Sequence, residues 1–195
     1  NYGSYTGNYE ILDALGTLAY KSRRKSFFKK EFFYALKIIE EKFIDKNALI
    51  GSWAGAMGQN QFMPSSYIYY AVDYNKDDKI DIWNNYSDIL ASIGNYLFKH
   101  GWHEKEPWLY EIDSNLIKNT VKEKKYSIND IYKDQSKRPY VTSTHYNKKG
   151  SIISYGQNSN KRSFLVYSNF FVLKKYNNSN YYALTLGELA NRILK

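Results

Sequence analysis

The stretch Gly51-Ser-Trp-Ala-Gly-Ala-Met-Gly-Gln-Asn-Gln-Phe-Met-Pro-Ser-Ser-Tyr67 constrains this chain more than any other part of it. Glycines and alanines surround Gln59, Gln61 and Phe62, and a new segment starts at Pro64. Glycine lets backbone approach a ligand or a neighbouring helix at distances a side chain would forbid. A carboxamide such as that of Gln61 both donates and accepts, which suits a ligand carrying hydroxyls and amides. The residues alone leave two readings open: a polar recess lined by glycine, or close packing at a tight corner.

Size and charge narrow the choices. A chain of 195 residues is one domain, or a domain with an insertion, and is long enough to bury a core. No apolar run approaches the length of a membrane span. The absence of cysteine excludes disulfides and thiolate chemistry, and says little about compartment. The polar Asn1-Tyr-Gly-Ser-Tyr-Thr-Gly7 is not a secretory leader, so an export address would have been removed or would lie outside this chain. A net charge of +9 favours an anionic partner, and 21 tyrosines add surface for stacking on bases or sugar faces. AT-rich codon usage inflates Lys, Asn, Tyr and Ile just as well, so charge alone decides nothing.

Periodicity predicts a helix over 11–21 with Ile11, Leu12, Leu15, Leu18 and Ala19 on one face. A longer helix, capped by Ser26, runs to about Phe43 with a core stripe of Phe28, Phe32, Leu36 and Ile39. Ser65 or Ser66 opens a helix near Tyr67–Val72, and Ser87 caps one that stops at Gly101. Alternation over Val121–Ile131 and Ser151–Tyr155 suggests short strands, and Phe164–Lys174 is strongly strand-like. Helix returns over Tyr181–Leu194. The fold class is α+β, mainly α. Residues 1–108 form the helical core, 109–168 a small inserted β-rich lobe, and 169–195 a strand and helix returning to the core.

Asp73-Tyr-Asn-Lys-Asp-Asp-Lys-Ile-Asp81 places side-chain oxygens of Asp73, Asn75, Asp77 and Asp81 at positions 1, 3, 5 and 9 of an EF-hand-like loop. The Lys79 carbonyl falls at position 7. The departures are Asp78 in place of glycine at position 6 and Asn84 in place of a bidentate glutamate at position 12. Asp78 tolerates the left-handed turn, less comfortably than glycine. The two readings are a structural calcium tying helices together and an acidic turn without an ion. His100, His103 and His145 form no zinc-binding pattern, and no nucleophile elbow, P-loop or dinucleotide fingerprint is present.

Gly55-Ala-Met-Gly-Gln-Asn-Gln-Phe-Met-Pro-Ser-Ser-Tyr67 also resembles the signature of the lytic murein transglycosylase B family, glycoside hydrolase family 103. Ile11–Tyr20, Asp73–Trp102 and Asn169–Leu184 agree with that family in order, while residues 106–168 match loosely. The resemblance implies a lysozyme-like core that cleaves the β-1,4 bond between N-acetylmuramic acid and N-acetylglucosamine, leaving 1,6-anhydro ends. It implies no catalytic cofactor, glycan strands of peptidoglycan as partner, and a periplasmic or cell-envelope location. No nucleic-acid partner is expected, and no membrane attachment is visible in the chain.

Carried over residue by residue, Ser52 lies near the catalytic carboxylate or the substrate N-acetyl group. Gln61, Phe62 and Tyr96 line the glycan cleft, with Tyr2 beside it. Tyr176 and Asn177, then Tyr182, close the site from the C-terminal helix. An Asp at the start of the next helix closes the family's calcium loop, which matches Asp88 here. The metal set is therefore Asp73, Asn75, Asp77, Lys79 and Asp88. The family's catalytic glutamate sits in a Glu-(Ser/Thr)-x-(aromatic)-Gly segment. Its aromatic-Gly pair aligns with Tyr2-Gly3, placing the glutamate two positions before Asn1 and outside this chain. Glu10 precedes its helix where the family has no catalytic carboxylate, and Glu31, Glu40 and Glu41 are expected to be solvated or ion-paired. A non-catalytic glycan-binding module and a basic nucleic-acid binder are the alternatives.

Overall fold

A computed structural model of the protein describes residues 5–41, 43–117, 124–156 and 160–193. The chain divides between Lys99 and His100 into two compact units.

In the first unit, α1 (Ile11–Lys21) spans the residues its periodicity predicts and packs on α2 (Lys25–Glu40). The second helix begins one residue before Ser26, with Arg24 at its N-cap and the Arg24 guanidinium 4.0 Å from the centre of the Phe27 ring. Its core face also differs from the expected stripe. Glu31, Ala35 and Ile38 are buried, each one position before a residue of that stripe, while Leu36 is exposed. Phe28 and Phe32 are half-buried, with the Phe32 ring beside Gly16 of α1.

Glu31 corrects the expectation of a solvated or ion-paired role. It is 5% exposed, and it accepts from the Ser65 backbone N–H at 2.9 Å and the Ser65 hydroxyl at 2.8 Å. The first turn of a helix carries N–H groups without intrahelical partners, and a carboxylate there meets the positive end of the helix dipole. That helix is α3 (Pro64–Tyr70), which starts at Pro64 because a proline at N1 gives up a donor that had no partner. Next comes α4 (Tyr86–Lys99). Asn85, not Ser87, serves its start, accepting from the N–H of Ser87 and of Asp88. Two short strands, β1 (Tyr9–Glu10) and β2 (Ile50–Gly51), pair antiparallel.

In the second unit, β3 (Leu109–Ile112), β4 (Ser151–Tyr155) and β5 (Arg162–Val166) form an antiparallel sheet in the order β3-β5-β4. The strand expected over Ser151–Tyr155 is present. The one expected over Phe164–Lys174 ends at Val166, and α6 (Ser168–Tyr176) follows. Burial of Asn169, Phe170, Val172 and Leu173 has helical spacing, which an aromatic-rich sequence disguises as strand. The Asn169 side chain, fully buried, accepts from the His103 N–H at 3.0 Å and donates to the His103 and Glu106 carbonyls.

Of the alternation expected over Val121–Ile131, residues 121–123 lie outside the described residues. The end of that stretch is α5 (Ile128–Ile131), set by a capping box between Ser127 and Asp130. Bonds from Lys149 and Ser127 hold the Asp130 carboxyl well below the usual carboxylate range. A core of Ile112, Ile128, Ile131, Tyr132, Leu165 and Tyr167 backs the sheet. Finally, α7 (Asn180–Ile193) packs on α6, and the Trp108 indole N–H donates to the Gly187 carbonyl.

The Glu31 bond yields a direct test. Glu31→Ala strands the Ser65 donors inside the first unit, at a cost of about 1–3 kcal/mol in urea unfolding. Glu40→Ala, on the exposed side of the same helix, changes stability by less than about 0.5 kcal/mol.

Candidate functional site

The Gly51–Tyr67 stretch folds as a miniature ladder. Tyr9 faces Gly51, Gly51 faces Met57, and Met57 faces Phe62. Two bonds between Met57 and Phe62, at 2.8 and 3.0 Å, close a turn over Gly58–Gln61. Gly58 has φ 62, and a Cβ there would lie 2.5 Å from the Ile82 carbonyl oxygen, so no other residue fits without displacing that strand of backbone. At Gly51 a Cβ would fall 2.2 Å from the Ala56 carbonyl oxygen. The close-packing reading of the glycines holds: their backbone contacts build the turn that carries the polar groups.

Gln61, at the last position of the turn, is left-handed with φ 53 and exposed. Its side-chain amide donates to the Gly58 carbonyl at 2.9 Å and the Thr6 carbonyl at 3.2 Å. The amide donors are thereby committed, and the Oε1 acceptor takes no bond from the described residues. Ser52 is arranged the opposite way. Its Oγ accepts from the Ala56 N–H at 3.0 Å, which leaves the hydroxyl proton to donate. The ladder thus presents one fixed acceptor and one fixed donor.

Phe62 and Tyr96, expected to line a cleft, meet each other with ring centres 5.7 Å apart, and Tyr70 meets Tyr96 edge-on at 4.9 Å. Phe62 is only 2% exposed and Tyr96 8%. Burial raises the Tyr96 pKa, which keeps the phenol neutral. These two rings brace the turn from behind. Sequence reasoning missed two further supports, Gln59 and Asn60. Gln59 donates to the Trp83 carbonyl at 2.7 Å, and buried Asn60 donates to the Ile89 carbonyl at 3.2 Å. No local pattern marks either one, because both partners lie more than twenty residues away.

Tyr2 lies outside the described residues. Tyr176 ends α6, Asn177 is the exposed residue after it, and Tyr182 is in the first turn of α7. The Tyr182 N–H donates to the Ser179 hydroxyl at 3.2 Å, and burial raises its pKa. These three residues belong to the second unit.

The acidic loop is tightly self-bonded. Asp73 Oδ1 accepts from the Lys76 N–H at 2.6 Å, and its Oδ2 accepts from the Asp78 N–H at 2.9 Å. Asp78 takes the left-handed conformation, φ 65, that its position requires. Asn75 donates to Asp77 at 2.9 Å, and Asp77 also accepts from the Lys79 N–H. Asp88 is fully buried, with Oδ1 accepting from the Tyr74 N–H at 2.9 Å and Oδ2 from the Asp81 N–H at 3.0 Å. It therefore clasps the two ends of the loop to α4 through backbone bonds. The donor types suit a hard cation. Among the described residues, however, no three His, Asp or Glu side chains are grouped as a metal would need.

Helices carrying two small antiparallel sheets, with a glycine-built turn held against the fourth helix, make up the lysozyme-like fold of the lytic transglycosylases. The chain belongs to the transglycosylase SLT domain family, whose profile matches residues 1–191. It is 31% identical over 195 residues to the membrane-bound lytic murein transglycosylase B of Escherichia coli K12, covering 98% of this chain and 53% of that protein. SltB3 from Pseudomonas aeruginosa, solved in complex with NAG-NAM-pentapeptide, superimposes with a TM-score of 0.82 at 36% identity, over 98% of this chain and 53% of that one. The Escherichia coli lytic transglycosylase Slt35, solved in complex with calcium, gives a TM-score of 0.80 at 30% identity, over 97% and 61%. The chain spans about half the length of the curated relative it matches.

The clasp is testable on its own. Asp88→Ala leaves the Tyr74 and Asp81 N–H groups without an acceptor, at a cost of about 2–4 kcal/mol. Amide hydrogen exchange at those two residues should accelerate along with the loss of stability.

Proposed function

We propose that this chain is the murein-holding part of a lytic transglycosylase of the cell envelope. The observation that carries the reading is the Gly58–Gln61 turn. It holds an acceptor at Gln61 and a donor at Ser52 on one rigid ladder, the complement of an acetamide and a hydroxyl. Phe62 and Tyr96 are assigned to this site as its bracing and Tyr2 to glycan contact beside it; in the second unit, Tyr176, Asn177 and Tyr182 are assigned to glycan contact.

The proposed reaction breaks the β-1,4 bond between N-acetylmuramic acid and N-acetylglucosamine. A carboxylic acid protonates the leaving oxygen as the bond from C1 breaks. The sugar's own C6 hydroxyl then bonds to C1 and returns its proton to the carboxylate, so no water is consumed. We assign that acid to no residue among 1–195. The buried Glu31 is committed to Ser65, and Glu10 is exposed at the start of α1. This favours a second reading for the chain by itself, a murein-binding module whose turnover lies about 10²–10⁴-fold or more below that of an enzyme with its acid in place.

The Asp73–Asp88 loop is proposed to take a structural calcium through Asp73, Asn75, Asp77, the Lys79 carbonyl and Asp88. Its support is the run of oxygen donors and the left-handed Asp78. Each Asp88 oxygen accepts a single backbone bond and keeps a second lone pair that an ion could take. No nucleic-acid partner is proposed.

Incubation with purified murein sacculi tests the first reading. The chain should pellet with them, and mass spectrometry should find few 1,6-anhydro muropeptides above a heat-inactivated control. Gln61→Ala should weaken retention. Abundant anhydro products would place the acid inside residues 1–195, and failure to pellet would overturn the murein reading. For the loop, saturating calcium should raise Tm by about 4 °C or more over chelator, and Asp73→Ala should remove the shift. Equal melting with and without calcium rejects the ion.

A further inference from the structure

The second unit carries two adjoining recesses of about 470 and 490 Å³ that share Leu109, Tyr110 and Asn191 as walls. Recesses that share walls are neighbours, and such a paired groove offers a linear polymer two adjoining seats where a compact molecule fills one.

The rings along it are already fixed. Trp108 stacks on Trp102 at 5.9 Å and is anchored through its indole N–H to the Gly187 carbonyl. The Tyr110 hydroxyl and His145 Nδ1 are 2.7 Å apart. At the second recess Tyr140 is 99% exposed, with no ring contact to another described residue. The hydroxyls of Thr142 and Thr144 and the amide of Asn191 supply donors and acceptors beside these rings.

Charge decides the ligand class. Lys148 pairs with Glu106, and Arg162, held between Glu111 and Glu188, leaves one negative charge that balances the cation left over by Glu104. Glu104 then offsets one of Lys105 and Arg192. A phosphate backbone needs several uncompensated cations in a row. A neutral sugar chain needs aromatic faces and fixed hydrogen-bonding groups, and these are what the groove supplies.

We propose that this groove is a second saccharide site, taking a stretch of neutral N-acetylated glycan in addition to the one assigned to the Gln61 turn. It rests on the murein reading, and it makes Tyr140 a glycan-stacking residue. The test compares retention on murein sacculi for the wild-type chain, Tyr140→Ala, Tyr140→Phe and Gln61→Ala. Tyr140 packs on nothing that folding requires, so its truncation leaves unfolding curves unchanged. Tyr140→Ala should weaken retention about fivefold or more, the scale of one lost aromatic stack, and Tyr140→Phe should restore it. Wild-type retention in Tyr140→Ala, with loss in Gln61→Ala, would overturn the groove and leave the murein reading standing. If the wild-type chain does not bind sacculi, both fall.

Discussion

The pairing of Gly51 with Tyr9 on one side and Met57 on the other is the contact on which the first unit depends. It brings backbone to backbone where a Cβ on Gly51 would meet the Ala56 oxygen, and it carries the Met57–Phe62 bonds that close the Gly58–Gln61 turn. Three chain segments meet at this ladder, the first of them about forty residues before the others: the entry to α1, the strand after α2, and the turn before α3. Backbone bonds of this kind are directional, and a polar group left without a partner in the interior is costly. Ser52 and Gln61 therefore inherit a fixed position from the main chain rather than from their own side-chain packing.

Buried carboxylates do the second part of the work. Glu31 meets the free N–H groups at the start of α3, and Asp88 meets those at the two ends of the acidic loop. In each case a buried carboxyl group is held by two donors at 2.8–3.0 Å, which offsets its removal from water. Together they fix α3 and α4, between which the acidic loop runs. The same logic separates structural from chemical carboxylates: a general acid must keep an oxygen for the substrate, and Glu31 has given both of its oxygens to Ser65.

The second unit solves a different problem. Its sheet has only three strands, and its helices α6 and α7 are tied to the segments around the sheet by polar side chains. Asn169 holds the 103–106 segment, and Trp108 holds the middle of α7. Charges on its surface pair with one another, at Arg162 with Glu111 and Glu188 and at Lys148 with Glu106. A strongly basic chain therefore has a groove with little net field, and the total of +9 does not describe the local chemistry.

The amino-acid sequence by itself determined the helical class, the extent of α1, the strand at Ser151–Tyr155, the glycine-built turn and the left-handed position at Asp78. These follow from local periodicity and from conformations that few residues tolerate, which are properties of neighbours along the chain. Only the tertiary structure decided which face of α2 is buried, that Asn85 serves the start of α4, and that the segment after Val166 is a helix. It also turned Asp88 toward backbone donors and gave Glu31 to Ser65. Each of those outcomes depends on a partner far away in sequence, and the energy of a buried hydrogen bond exceeds the differences in local propensity that a sequence displays.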